Sequence, residues 1–159
     1  MTEQKIEKIM IDELSASLAT ANLSSIQYIG AWQTTNEDGL KAYENGKATG
    51  ILGVKVYPRQ YETPTIPDGM FQIDVSLTMR ADIDKTGADW LSATEAISQR
   101  MHLWQRSYQD YAPVFTVPGE FEPTGYNLAG GDCGLDRGSG TWQYSQTVNL
   151  YGIISYSGN

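Results

Sequence analysis

The sequence predicts an α+β fold in which a largely antiparallel sheet carries two main helices packed on one face. Phe71–Met79 alternates apolar and polar residues over nine positions, the period of a strand with one buried and one solvated face. Thr141–Ile154 repeats that alternation, and an apolar stripe of helical period runs through residues 87–108. Helices on one side of a single sheet bury all of these apolar faces together.

The first predicted element is a helix over residues 3–22. Its apolar residues step by four along one face, at Ile6, Met10, Leu14 and Leu18. Glu3 and Glu7 lie near the start, where the helix dipole favours negative charge, and Asn22 is a typical stop signal.

Residues 26–80 are predicted to hold the first strands. Ile26–Thr34 and Ile51–Tyr57 have strand character, and Pro58 ends the second because proline cannot donate to a ladder. Asn36–Gly50 is polar and glycine-containing, which favours a mobile connection. The long strand Phe71–Arg80 closes this part of the chain.

A second helix is predicted over residues 87–108. Thr86-Gly87-Ala88-Asp89 matches a capping box with Thr86 as N-cap, and Pro113 forbids continuation beyond the end. The expected apolar side chains are Trp90, Leu91, Ile97, Met101 and Trp104.

Further strands are predicted over residues 114–154. Val114–Val117 and Thr124–Ala129 are short candidates, and Thr141–Ile154 is the long closing strand. Gly130–Gly140 has five glycines in eleven residues, which favours a turn or flexible hairpin loop.

Length and composition predict one globular domain, since 159 residues with 40% hydrophobic residues suffice for a single core. The net charge of -8 argues against a surface that grips nucleic-acid phosphates. Residues 107–159 are the most one-sided, with one basic residue, Arg137, against five acidic ones.

The single cysteine, Cys133, excludes an internal disulfide and a multi-cysteine metal site. Residues 1–25 lack the apolar block of a signal peptide, and no apolar run is long enough to span a membrane. We therefore expect synthesis in a cytoplasm and no association with membranes.

Asp82-x-Asp84-x-Thr86-Gly87 copies the first positions of a calcium loop, but position 12, where a bidentate Glu is needed, is Ala93. Asp82, Asp84 and Asp89 are also candidate acids for hydrolysis. The helix dipole explains three carboxylates at a helix start without either role.

The remaining reactive or aromatic residues have structural interpretations. His102 is the only histidine and is expected to be structural or exposed, and Cys133 has no basic neighbour except Arg137 to lower its thiol pKa. Trp90 and Trp104 have the spacing of a helical core stripe. We expect no catalytic residue, metal site or cofactor.

The layout resembles the tail-terminator and tail-completion (head–tail joining) proteins of tailed bacteriophages. The resemblance rests on the Ile6–Leu18 stripe, the strand Phe71–Met79 running into Ala81–Asp84, the helix ending near Leu103-Trp104, and the strand Thr141–Ile154. It spans nearly the whole chain as a pattern and contains no diagnostic motif.

The resemblance implies a virion component that forms a homo-oligomeric ring, commonly a hexamer, at the tail end or head–tail joint. Its implied partners are copies of itself, the tail tube and the head–neck proteins. DNA would pass through without specific binding, consistent with the negative charge.

Two other functions remain open from the residues. One is a small-ligand or carbohydrate-binding module that uses Trp32, Trp142 and tyrosines as stacking surfaces. The other is a hydrolase using Asp82, Asp84 and Asp89. The first of these predicts exposed, clustered indoles, whereas the connector predicts a ring.

Overall fold

The structure is a computed structural model that describes residues 1–23, 25–30, 32, 36–63, 66–136 and 138–155. Four helices and six strands follow one another in these residues: α1 Thr2–Thr20, β1 Ile26–Gly30, α2 Glu37–Glu44, β2 Gly50–Val56, β3 Gln60–Thr63, β4 Ile66–Arg80, α3 Ala88–Arg106, α4 Tyr108–Phe115, β5 Phe121–Asp136 and β6 Thr141–Ile154.

One sheet contains all six strands in the order β1-β2-β4-β6-β5, with β3 paired to the start of β4. The β1–β2 pair is parallel and every other pair is antiparallel. The predicted α+β class with a largely antiparallel sheet is confirmed.

The core lies between this sheet and the helices α1 and α3. The alternation in β4 works as predicted, because Phe71, Ile73, Val75, Leu77 and Met79 are completely buried. They pack with the α1 stripe and with Ile97, Met101 and Trp104 of α3. The period-two and helical patterns therefore meet in one apolar layer, which is the main source of stability. Leu91 is an exception, since 61% of it is exposed.

The start of α1 is held by carboxylates that the sequence pattern assigns only to the helix dipole. Glu3 and Glu7 are both buried. Glu3 forms a salt bridge with Arg59 at 3.0 Å, and the backbone N–H of Trp32 donates to both oxygens of Glu7 at 3.1 and 3.0 Å. Their role is to join α1 to other segments of the chain.

The polar segment Asn36–Gly50, predicted as a mobile connection, contains α2. Asn36 caps this helix by accepting a hydrogen bond from Gly39 N–H at 3.0 Å. The carbonyls of Tyr43 and Glu44 accept from Arg80 at 2.8 and 2.9 Å. A local cap and a long-range arginine thus stabilise a helix too short for its apolar pattern to predict. In the strand predicted at Ile26–Thr34, β1 ends at Gly30, and residues 31 and 33–34 lie outside the described residues.

The predicted strand Val114–Val117 is wrong, because α4 continues to Phe115. Pro113 lies inside α4, although proline removes a helical hydrogen bond. Packing offsets that loss, since the ring of Phe115 meets Trp104 edge-on with centroids 5.1 Å apart. Val117 makes only an isolated bridge to Phe121.

The prediction of a loop over Gly130–Gly140 is also largely wrong. β5 absorbs this glycine-rich stretch and continues to Asp136, with a bulge between Ala129 and Gly131. Gly130 takes a positive φ of 38° at the bulge, a conformation that favours glycine. The glycines here bend a strand, and the turn residues that the structure describes are 138–140.

Candidate interaction surface

The face of the sheet opposite α1 and α3 is polar, and in the described part of the chain its middle is exposed to solvent. The strand registers place its side chains in rows that cross β2, β4 and β6. Lys55, Asp74 and Thr147 form one row, and Gly53, Ser76 and Ser145 form the next. Lys55, Ser76 and Ser145 are exposed. We call this surface the polar face.

Hydrogen bonds order the polar face at its centre. The Asp74 carboxylate accepts from the Tyr57 hydroxyl at 2.7 Å and from Thr147 Oγ1 at 3.2 Å. The hydrogen bond to Asp74 raises the pKa of Tyr57, because the phenol must stay protonated to donate it. Neutral hydroxyl and amide groups therefore dominate the centre of this face, with a single carboxylate opposite Lys55.

Carboxylates gather where the polar face reaches β5. Asp132 pairs with Ser145 and Asp136 with Thr141, so both aspartates lie on the polar face and both are exposed. Hydrogen bonds from Ser139 and the Gly138 N–H hold the pKa of Asp136 below its ordinary value. A shallow cleft on this side is lined by Ser76, Thr78, Asp132, Asp136, Gln143 and Ser145.

Arg80 ends the polar face at the α2 corner. Its guanidinium donates to both oxygens of Asp82, at 2.9 and 2.7 Å. These hydrogen bonds lower the pKa of Asp82, so the carboxylate stays ionised. Asp82, a candidate acid or calcium ligand, therefore forms a salt bridge with Arg80, which also donates hydrogen bonds to α2.

Asp84 has a different role from either chemical candidate. It is 6% exposed, and its carboxylate accepts from the N–H groups of Asp89 and Trp90 at 3.3 and 2.8 Å. The predicted capping box is wrong, because Gly87 is the N-cap, while Thr86 only accepts from Ala88 at 3.4 Å. Asp84 caps α3 from a position further back in the chain. Asp89 is exposed in the first turn of α3, and its side chain does not join Asp84.

His102 and Cys133 are both exposed, His102 on α3 and Cys133 on β5. His102 Nδ1 lies 2.7 Å from the carbonyl oxygen of Ser98, one turn earlier in α3. The Cys133 N–H donates to Asp132 Oδ1 at 2.9 Å. Within the described ranges, no group of three His, Cys, Asp or Glu residues is placed to hold a metal ion.

The indoles proposed as stacking surfaces are half-buried against the core. Trp142 stacks on Trp90 with centroids 5.4 Å apart, and its Nε1 donates to the Asp84 carbonyl at 2.9 Å. Trp32 Nε1 donates to the carbonyl of Val56. These tryptophans are therefore part of the packing between elements. They do not form the exposed cluster that the binding-module hypothesis predicts.

The sequence pattern missed the far half of β5 as part of this surface. Cys133 and Leu135 alternate with Asp132, Gly134 and Asp136, which is strand periodicity inside a glycine-rich stretch. The prediction gave more weight to the high glycine content than to this alternation, and it therefore placed a loop here.

No helix in the described part of the chain has the length and apolar character to cross a bilayer. No protein-family model matches the chain, and no curated protein matches it. Among solved structures, it is similar to a chain of the virion of a native gene transfer agent particle. That similarity has a TM-score of 0.45 and 11% sequence identity, and it covers 88% of this chain and 84% of the other.

Proposed function

We propose that this protein is a structural component of a phage-type virion, a ring-forming tail terminator or head–tail connector. Copies of the chain form a ring, with a hexamer as the expected size, that completes the tail and joins it to the head. The protein acts through its shape and its interfaces, and the ring leaves a passage for DNA.

The observation that carries this proposal is the open polar face. An amphipathic sheet with one face on helices and the other solvated is common, but here the solvated face extends across long strands, and no element of the described residues covers its centre. Its centre presents mostly neutral hydroxyl and amide groups around the single pair Lys55 and Asp74, and its β5 side presents Asp132 and Asp136. Such a surface repels a phosphate backbone weakly, and its described residues offer no cationic cluster to bind.

The element order supports the same proposal. The resemblance to tail terminators rests on an opening helix, a sheet, a central helix packed on that sheet and long closing strands. α1, the sheet, α3 and the β5–β6 pair follow this order. The net charge of -8 fits a passage through which DNA moves without adhering.

The experiment that tests the proposal probes the polar face in the assembled protein. In a Cys133→Ser background, Ser145→Cys places one thiol at the centre of the polar face, and Ser92→Cys places one on exposed α3. If the polar face lines the opening of a ring, a small maleimide labels both thiols. A maleimide on a bulky polymer then labels position 92 at least about tenfold faster than position 145.

The same comparison on dissociated protein is the control, since position 145 should then react with the bulky reagent as readily as position 92. Equal bulky labelling of both positions in the assembled ring would exclude the polar face from the opening. Failure to find any ring at assembly concentrations would contradict the function itself.

A further inference from the structure

The far half of β5, residues 130–136, is an exposed edge of the sheet. All seven residues are exposed. The near half of the same edge is covered, because the Leu128 N–H donates to Gln105 Oε1 at 2.9 Å and the Pro123 carbonyl accepts from the Tyr108 hydroxyl at 3.1 Å. At the opposite edge, the Tyr28 carbonyl accepts from Asn36 Nδ2 at 3.0 Å. Among the described residues, no other element covers 130–136.

Ladder alternation fixes which backbone groups point outward from this edge. The Asp136 carbonyl accepts from the Gly140 N–H at 2.9 Å, so Asp136 points toward β6. Successive residues of a strand bond to opposite sides. Gly131, Cys133 and Leu135 therefore direct their N–H and C=O groups away from the sheet, and within the described ranges only the Cys133 N–H meets a side chain, that of Asp132.

We propose that a second copy of this chain pairs with this edge, antiparallel, across a two-fold axis through Cys133. In that register, Gly131, Cys133 and Leu135 of one copy face Leu135, Cys133 and Gly131 of the other. Every outward group then has an outward partner, which gives about six backbone hydrogen bonds. The strand is self-complementary in this register, which is why the occupant is another copy of the chain.

The positions of the carboxylates favour the register centred on Cys133 over the register centred on Gly134. Centred on Cys133, the pairing sets Asp132 opposite Gly134 and Asp136 opposite Gly130, so no carboxylate directly faces another. Centred on Gly134, it would set Asp132 opposite Asp136 twice, and like charges directly opposite each other destabilise a strand pair.

The side chains on the other face of the strand fit the same arrangement. Leu135 is 42% exposed and lies beside Trp142 on the helix side of the sheet. Its partner position, Gly131, has no side chain, so the pairing leaves room to cover Leu135. An uncovered edge strand is a template for unspecific association, and this pairing closes it.

This contact goes beyond the proposed ring, because a two-fold axis joins copies in pairs and does not join neighbours around a ring. It requires no particular place in a virion. It holds or fails independently of whether rings form, since dimer and ring are measured as different species.

Cysteine cross-linking tests the pairing at the axis. Hydrogen-bonded antiparallel partners have Cα atoms about 5.5 Å apart, within the range that a disulfide spans. Mild oxidation of dilute full-length protein with copper phenanthroline should therefore join two copies through Cys133. The matched control is Cys133→Ser/Leu135→Cys, whose thiol is on the same exposed strand but lies about 13 Å from its mate along the paired strands.

We expect the wild-type thiol to cross-link at least about tenfold faster than the thiol at position 135. Equal rates would show that the cross-links form by random collision of two copies and not in a fixed strand register, and they would overturn the proposal. Cross-linking that is faster at position 135 would also overturn it, because the strands would then pair in another register.

Sedimentation equilibrium tests the backbone hydrogen bonds directly. Leu135→Pro removes an outward N–H that has no hydrogen-bond acceptor among the described residues of the single copy, the kind of edge position where proline is tolerated. Leu135→Ala keeps that N–H and is the matched control. We expect at least about a tenfold weaker dimer for Leu135→Pro and at most a few-fold change for Leu135→Ala.

A wild-type chain that stays monomeric at about 100 µM, or a Leu135→Pro chain that dimerises like wild type, would contradict the proposal. Circular dichroism checks that the proline variant is folded. If it is not, the cross-linking comparison, which contains no proline, still decides the matter.

Discussion

The carboxylate of Asp84 accepts a hydrogen bond from the backbone N–H of Trp90 at 2.8 Å, at the start of α3. The same residue's carbonyl accepts from the indole of Trp142 at 2.9 Å. Asp84 therefore joins the start of the central helix to the closing strand β6. Asp84 belongs to a sequence that resembles a calcium loop, but its role in the structure is to link α3 and β6.

Asp84→Ala should destabilise the protein by about 1–2 kcal/mol, because it leaves N–H groups at the start of α3 without their acceptor. Urea unfolding followed by circular dichroism measures this loss. Asp82→Ala is the control, since it removes an exposed carboxylate of the same loop, and we expect a much smaller effect. Equal effects of the two changes would contradict the capping role.

Gly30→Ala should be strongly destabilising because of Glu7. A Cβ at position 30 would lie 1.8 Å from Glu7 Oε1, while that carboxylate is held by the Trp32 N–H. We expect a cost of about 1–3 kcal/mol, the range for forcing an extra group into a packed site. Denaturant titration of the variant measures the change in the free energy of unfolding.

A double-mutant cycle identifies the cause of that cost. In a Glu7→Ala background the main clash is gone, so Gly30→Ala should cost less there than in wild type, by at least about 0.5 kcal/mol. The residual contact with Ile11 at 3.1 Å keeps the second cost above zero. Strictly additive effects would show that Glu7 does not determine the need for glycine.

Lowering the pH should weaken the attachment of α1, because the carboxylates of Glu3 and Glu120 contribute to it in their charged form. Burial raises the pKa of Glu3, but hydrogen bonds and the charge of Arg59 outweigh it and hold this pKa below its ordinary value. Hydrogen bonds from Lys5 and Thr2 lower the pKa of Glu120. Since both folded-state values lie below the unfolded ones, their contribution is fully present above about pH 4.5 and is lost as pH falls through the lowered values.

The measurement is the urea midpoint between about pH 7 and pH 3. We expect little change from these groups down to about pH 5 and a decline below pH 4 that is shallower in Glu3→Gln/Glu120→Gln. Glu95→Gln, on the exposed side of α3, should leave the wild-type slope in place. A double variant with an unchanged acid slope would contradict the assignment.

Gln146 should hold the β5 bulge together. Its Nε2 donates to the carbonyls of Ala129 and Gly130 at 2.9 and 3.0 Å, where Gly130 leaves the regular strand conformation. In Gln146→Ala, the amides of Asp132 and Gly134 should exchange with solvent about fivefold faster, equivalent to losing about one hydrogen bond. Gln143→Ala is the matched control on the same strand. Unchanged exchange in Gln146→Ala would show that the bulge needs no such support.

Long amphipathic elements could be predicted from the sequence because burial alone determines them. β4 buries each alternate residue from Phe71 to Met79, and α1 buries each residue of its step-of-four stripe. In both elements the period of the pattern equals the period of the backbone, and the core enforces it.

The errors fall where a distant contact overrides a local preference. Pro113 predicts the end of a helix, but the packing of Phe115 on Trp104 keeps α4 helical around it. The glycines after Ala129 predict a loop, but pairing with β6 keeps them in a strand. Neither of these stabilising contacts can be predicted from the adjacent residues, because the partner in each contact lies elsewhere in the chain.

The candidate surface was only partly predictable for the same reason. Polar faces on Phe71–Met79 and on Thr141–Ile154 follow from the alternation in each, and the structure joins them into one face that continues onto β5. Register determines which side chains share a row, and short sequence patterns do not specify register between strands far apart in the chain.

The measurement that tests the central proposal most directly is native mass spectrometry of the purified full-length chain, combined with negative-stain images of the same sample. The proposal predicts closed rings of defined copy number, six being expected, with a central opening of about 20 Å or more, wide enough for duplex DNA. A monomer or an isolated dimer at every concentration tested, with no ring in the images, would contradict it.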